Sequence, residues 1–171
     1  MKYTTINIQG NLISEEILQK IDQAEAPGQT AAHFGLEQGA NLRSEIEYAW
    51  SRIKLDWHYF ADKSQNLPAN DPYGTTLTRR WMEQFLSSIG FNLSRQRSYL
   101  AGDNGQTYQI SHTDENMDGF PVHIVNFLEP SHPDKNTLDI RTSGGTTRFS
   151  PHATMQEYLN VTENVYGLVT N

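Results

Sequence analysis

One short stretch of the sequence concentrates the residue types that often carry hydrolytic chemistry. His112, Asp114, Glu115, Asp118 and His123 all lie between positions 112 and 123. Magnesium prefers carboxylate oxygens, and a bound ion can activate water for attack on a phosphodiester. Asp114, Glu115 and Asp118 are therefore candidate magnesium ligands, and His112, Asp114 and His123 are candidate catalytic residues. The same acids are also typical of a solvated turn whose charges only keep a loop soluble.

The two histidines add a second possible site. His123 alternates with Val122 and Ile124, so it is predicted to point away from the face that those two residues share. His112 lies on or just after the neighbouring strand, where the two rings could bind zinc or shuttle a proton. A histidine on a strand is also typical of a structural residue held by hydrogen bonds, and the sequence leaves both interpretations open.

Four arginines bear on nucleic-acid binding. The chain has a net charge of -7 and only 13 lysines and arginines. Affinity for nucleic acid comes mainly from basic residues that neutralise phosphates, so such a chain needs its positive charge gathered on one face. Arg79, Arg80, Arg95 and Arg97 lie between positions 79 and 97 and are opposed there only by Glu83. They are candidate nucleic-acid contacts, or alternatively the solvated faces of a helix and a strand.

Periodic apolar residues and capping signals predict four helices around these residues. The predicted bounds are Ser14 to about Ala24, Asn41 or Ser44 to about Asp62, Thr76 or Thr78 to Gly90, and Ser150–Leu159. The second helix is predicted to have a broad apolar face, formed by Ile46, Trp50, Ile53, Trp57 and Phe60.

Alternating and apolar runs predict the strands. The first predicted strand covers residues 91–100 and exposes Arg95 and Arg97, and a hairpin turn at 102–105 connects it to a second strand at 107–111. A central strand follows at 122–125, and a buried strand at 165–170 ends the chain. Residues 3–9 suit an edge strand or an arm, and the polar residues 129–149 suit a mobile loop or hairpin. The elements predict one α+β (or α/β) domain over residues 1–171, with a mixed central sheet flanked by helices. Residues 1–75 would be its mainly helical portion, and residues 76–171 its helix-and-strand core.

Composition excludes several classes of protein. There is no cysteine, hence no disulfide and no thiolate metal site. The absence of cysteine fits a cytoplasmic protein. No apolar run approaches the roughly 20 residues that span a bilayer, so we expect no membrane partner. Serine-nucleophile, phosphate-loop, zinc-protease and dinucleotide motifs are all missing from the sequence.

Three segments of the second half carry a family resemblance: Phe120–Phe127, Ser150–Asn160 and Tyr166–Asn171. They resemble the N-terminal domain of bacterial restriction-modification DNA methylases, of the type IIG and DISARM phage-defence kinds. The resemblance covers roughly residues 78–171 and implies a restriction-endonuclease-like core. It also implies a longer parent chain, in which a DNA adenine methyltransferase domain follows and uses S-adenosylmethionine.

The resemblance has consequences for the site. Gln156 occupies the place of a glutamine that such cores carry on their second helix, and it is a further catalytic candidate. The nuclease signature, an aspartate on the second strand and Glu-x-Lys on the third, is missing from Tyr108–His112 and Val122–Phe127. The resemblance thus implies an accessory domain that contacts DNA or docks other domains without cutting and needs no cofactor of its own. The alternatives are an active magnesium-dependent endonuclease and a protein interaction module without nucleic-acid contact.

Overall fold

The computed structural model describes residues 13–141 and 149–171. In these ranges the helices are α1 (Glu15–Asp22), a 3-10 helix (Ala31–Phe34), α2 (Leu42–Ser64), α3 (Thr75–Ser88) and α4 (Pro151–Asn160). The strands are β1 (Leu93–Arg95), β2 (Leu100–Ala101), β3 (Thr107–Tyr108), β4 (His112–Asp114), β5 (Phe120–Ile124) and β6 (Leu168–Thr170). The chain divides into two compact units, Met1–Tyr48 and Ala49–Asn171.

Short-range capping signals place the helix ends of the first unit. Ser14 accepts a hydrogen bond from the backbone of Ile17 and caps α1, as predicted. Asn41 accepts backbone hydrogen bonds from Arg43 and Ser44 at the start of α2. A capping oxygen replaces the hydrogen-bond partners that the first N–H groups of a helix lack, so both ends form where the sequence predicts them.

The apolar face predicted for α2 is only partly buried. Ile53 and Phe60 are buried, whereas Ile46, Trp50 and Trp57 are 58 %, 56 % and 48 % exposed. Within the second unit, Ile53 and Phe60 pack against Trp81 of α3. Of the five residues of the predicted apolar face, only Ile53 and Phe60 are therefore buried.

Asp71 and Gly74 lie at the start of α3, and Gly90 lies just after its end. It begins at Thr75, slightly earlier than predicted, because Asp71 accepts hydrogen bonds from the backbone N–H groups of Thr76 and Leu77. Gly90 has a φ of 102° after the last turn. There the Phe91 N–H reaches back to the Leu86 carbonyl, which is a Schellman ending. The predicted helix end at Gly90 is confirmed.

The main sheet is mixed and has four strands in the order β1-β4-β5-β6. β4 runs antiparallel to both β1 and β5, and β6 runs parallel to β5. The predicted mixed α and β structure is confirmed, and so is the central place of β5. Val122 and Ile124 pack with Leu86 on the α3 side of the sheet. On the other side, Val169 of β6 packs with Met155 of α4.

Two predicted strands are split in the structure. The predicted strand at 91–100 forms β1 in the main sheet and β2 in a separate two-stranded sheet with β3. The return strand at 107–111 ends early at Tyr108, and β4 begins at His112. The predictions failed here because periodicity cannot show where a chain leaves one sheet for another. The turn between β2 and β3 lies at 102–105, as predicted.

β6 is half-buried at the sheet edge, and Val165 is 75 % exposed, so the prediction of a buried strand over 165–170 was wrong. The expected strand or arm at 3–9 lies outside the described residues, as does the 142–148 part of the polar excursion. In the described ranges, no helix combines the length and apolarity needed to cross a membrane.

Candidate functional site

A cleft of about 330 Å³ lies where β1 and β5 end and β4 begins. α3 contributes Thr75 and Arg79 to its wall, and α4 contributes Pro151. The remaining lining residues come from three stretches of chain around the sheet end: 95–99, 109–111 and 123–126. None of the described lining residues is acidic, although the chain as a whole carries a charge of -7.

Three of the four candidate arginines meet at this cleft. Arg79 reaches it from α3, Arg95 from the end of β1, and Arg97 from the segment that follows β1. Arg80 instead points elsewhere, since its guanidinium stacks over the ring of Tyr59 at 5.0 Å. The structure therefore brings together Arg79 and Arg97, which are 18 positions apart, and separates the adjacent Arg79 and Arg80.

A chain of hydrogen bonds runs behind the cleft. Arg95 binds Glu83 through two nitrogens, at 2.5 and 2.8 Å. Glu83 also accepts from Nε2 of His112 at 2.9 Å, and Nδ1 of His112 lies 2.8 Å from the Ser111 hydroxyl. Burial lowers the pKa of His112 despite the nearby carboxylate, so the ring is neutral at pH 7. Its single proton then belongs on Nε2, facing Glu83, and Nδ1 faces the Ser111 hydroxyl, which also lies within hydrogen-bond distance of the Val122 carbonyl.

Glu83 stays ionised in this chain. Burial alone would raise its pKa, but the hydrogen bonds from Arg95 and His112 outweigh that effect and lower the pKa. Glu83 thus offsets the charge of Arg95, although it does not itself line the cleft.

His123 lines the cleft, and one of its ring nitrogens lacks a hydrogen-bond partner among the described residues. Its Nδ1 and the Nε of Arg79 are buried, and neither has a hydrogen bond with any part of the chain that the structure describes. Burial, with smaller contributions from His112 and Arg79, lowers the pKa of His123 to about 4. One acceptor on a neutral imidazole and one arginine N–H donor are therefore left without a hydrogen-bond partner at the cleft wall.

The two histidines lie on opposite sides of the sheet. His112 pairs with Val122 in register and contacts Glu83 of α3. His123 pairs with Val169, which faces α4. The sequence left open a side-by-side pair for zinc or proton transfer, and the structure does not bring the rings together on one face.

The candidate magnesium ligands lie at the other end of β4. Asp114 is fully buried, and its two oxygens accept backbone hydrogen bonds from Asn92 and Asn116 at 2.7 and 2.8 Å. Glu115 is exposed and binds the Ser94 hydroxyl, and Asp118 sits in an exposed turn with a φ of 47°. No group of three or more His, Asp or Glu side chains within the described ranges is arranged to hold a metal ion. Magnesium binding by these acids stays a prediction.

Gln156 belongs to another part of the surface. It is exposed on α4 and lines an open hollow of about 770 Å³ with His152 and Leu168. That hollow shares no lining residue with the arginine cleft.

Sequence reasoning missed two members of the cleft region. In the sequence Glu83 stands out only as a charge that opposes the arginines, although its four-residue spacing from Arg79 puts both on one helix face. Ser111 carried no signal at all, because its role depends on its contacts with Ile124 and His112 across the sheet end.

The chain has no match among protein-family models, curated proteins or solved structures.

Proposed function

We propose that this chain is a cytoplasmic, nuclease-like N-terminal domain of a restriction-modification DNA adenine methylase. It contacts DNA through the arginine cleft and leaves cleavage to other parts of the system. The observation that carries the proposal is the meeting of Arg79, Arg95 and Arg97 in one cleft without an acidic lining residue among those described.

Electrostatics supports a nucleic-acid ligand at this cleft in particular. A chain with a net charge of -7 repels DNA on balance. A local group of arginines can still bind phosphates, because guanidinium groups form charge-assisted, bidentate hydrogen bonds with phosphate oxygens. The acidic remainder would orient the DNA toward this one face.

The order of elements supports the nuclease-like part of the proposal. The restriction-endonuclease-like cores that the sequence resembles have a helix, three strands, a helix with a glutamine and a last strand. Here α3, β1, β4, β5, α4 and β6 follow in that order, with the β2–β3 hairpin inserted. Gln156 lies on α4.

The residues on the strands support a role without cleavage. β4 and β5 carry no Glu-x-Lys, and the strand aspartate of the nuclease signature has no counterpart at the cleft. Asp114 on β4 uses both oxygens to hold backbone N–H groups at the far end of the strand. Without the lysine, the charge of an attacking hydroxide would lack its usual stabilisation.

The test is fluorescence polarisation of labelled duplex DNA with the 171-residue chain across a salt series. We expect binding that weakens as salt rises, and Arg97→Gln should remove about one phosphate contact, or about 0.9 from the salt slope. Arg80→Gln is the matched control, because Arg80 stacks on Tyr59 away from the cleft.

Two results would contradict the proposal. Absence of DNA binding even at low salt would favour a protein interaction module. Plasmid nicking that needs magnesium or manganese, and that disappears in an Asp114→Ala/His123→Ala variant, would establish an active endonuclease.

A further inference from the structure

The cleft presents two positive charges to a ligand. Glu83 offsets Arg95 through the paired hydrogen bonds. Arg79 and Arg97 form no salt bridge with any residue in the described ranges. His123 is neutral at pH 7, since burial lowers its pKa to about 4. A ligand with two negative charges would therefore be matched, whereas a single negative charge would leave one arginine uncompensated.

The cleft is small, and its interior suits one terminal phosphate better than the backbone of a duplex. Its volume is about 330 Å³. That volume is at the lower end of the range for small-ligand sites. One terminal phosphate with its sugar can enter such a space, whereas an internal phosphate, which carries the strand on both sides, can meet the arginines only at the mouth of the cleft.

We infer that the arginine cleft binds the phosphate monoester of a single nucleotide, as a free nucleotide or as the phosphorylated end of a DNA strand. This inference rests on the proposed function for its choice of nucleic acid over other phosphates. A monoester carries about 1.5 to 2 negative charges at pH 7, and it offers three acceptor oxygens. A phosphodiester within a strand carries one charge, so the charge of the cleft favours the monoester.

The two unpartnered buried nitrogens fit this ligand. Arg79 Nε is a donor and would bind a phosphate oxygen. His123 lines the same cleft, and its unpartnered Nδ1 would accept a hydrogen bond from the remaining proton of the monoester or from a sugar hydroxyl. Tyr99 lines the cleft with a side chain that is 52 % exposed, and an exposed aromatic ring can stack on a base.

The experiment compares single-stranded DNA oligonucleotides of one sequence that differ only at their ends. Oligonucleotides with a 5′-phosphate, a 3′-phosphate or hydroxyls at both ends carry a fluorophore within the strand, and binding to the 171-residue chain is measured by polarisation. Titration calorimetry with a nucleoside 5′-monophosphate and with the nucleoside forms the second arm. Arg97→Gln is the test variant, since Arg97 is exposed and its replacement should spare folding. Arg80→Gln is the control.

We expect one phosphorylated end to bind about tenfold or more tightly than the hydroxyl end, with Arg97→Gln removing the preference and Arg80→Gln retaining it. A preference in the oligonucleotide arm identifies a DNA end as the source. Binding of the monophosphate but not the nucleoside, without an end preference, identifies a free nucleotide. If DNA binds with no end preference and the monophosphate does not bind, the inference is wrong while the proposed function stands. If neither single-stranded DNA nor the monophosphate binds, the inference is wrong, and the proposed function fails as well if duplex DNA also does not bind at low salt.

Discussion

His112 donates a hydrogen bond from Nε2 to Glu83 Oε1 over 2.9 Å, joining β4 to α3. The histidine side chain is 1 % exposed and the glutamate 27 %. Arg95, which binds the same carboxylate, is 59 % exposed. One carboxylate therefore serves a buried partner and a solvated partner, and the two interactions should differ in strength.

Double-mutant cycles should separate those two interactions. We expect Glu83→Gln to lower the free energy of unfolding by about 1–3 kcal/mol, because a buried histidine loses a charged acceptor. The coupling of Glu83→Gln with His112→Gln should exceed its coupling with Arg95→Gln, which we expect below about 1 kcal/mol. Urea unfolding followed by tryptophan fluorescence measures both. A larger coupling to Arg95 would contradict this view, and Glu115→Gln serves as an exposed control.

His123 should make the protein sensitive to acid. Its pKa is about 4 in the folded chain and 6.5 when unfolded, so between these values the unfolded state binds a proton that the folded state does not. Stability therefore falls as the pH falls through this window, by about 2 kcal/mol between pH 7.5 and 5.0. His112, whose pKa is also lowered, acts in the same direction.

The His123→Gln variant should lose less stability over the same pH range. Urea unfolding in phosphate-free buffer gives the comparison, since a bound phosphate would change the protonation of His123. His152→Gln replaces an exposed histidine and is the control. An unchanged pH dependence in His123→Gln would show that other groups cause the acid sensitivity.

Asp114→Asn should destabilise the fold whether or not magnesium is present. The variant turns one carboxylate oxygen into an NH2 group that faces a backbone N–H of Asn92 or Asn116. An unpaired buried donor costs about 1–3 kcal/mol. The measurement is the thermal midpoint with and without millimolar magnesium. If magnesium raised the midpoint of the parent chain but not of Asp114→Asn, Asp114 would be a metal ligand.

Gly74→Ala should destabilise α3 more than Gly90→Ala does. Both glycines have positive φ, 66° and 102°. An alanine at Gly74 would in addition overlap the ring of Phe127, whereas nothing lies within 4 Å at Gly90. We expect the Gly74 variant to lose about 1 kcal/mol or more beyond the Gly90 variant. Equal losses in calorimetry would mean that Phe127 moves aside without cost. Since Thr75 lines the cleft, the Gly74 variant should also weaken DNA binding.

The sequence by itself determined the helix ends and the central strand. Ser14, Asn41, Gly90 and the pair Ser150–Pro151 act on backbone groups within a few residues, so their effects can be read locally. The apolar run around Val122 likewise indicated a strand with neighbours on both sides.

Only the tertiary structure decided which side chains meet. Arg79 and Arg80 are adjacent in sequence, yet one lines the cleft and the other stacks on Tyr59. Glu83 meets His112 across 29 positions, and His112 and His123 separate to opposite sides of the sheet. Such relationships depend on strand register and on the packing of α3 against the sheet. Sequence periodicity specifies the face of each element but not the partner it meets.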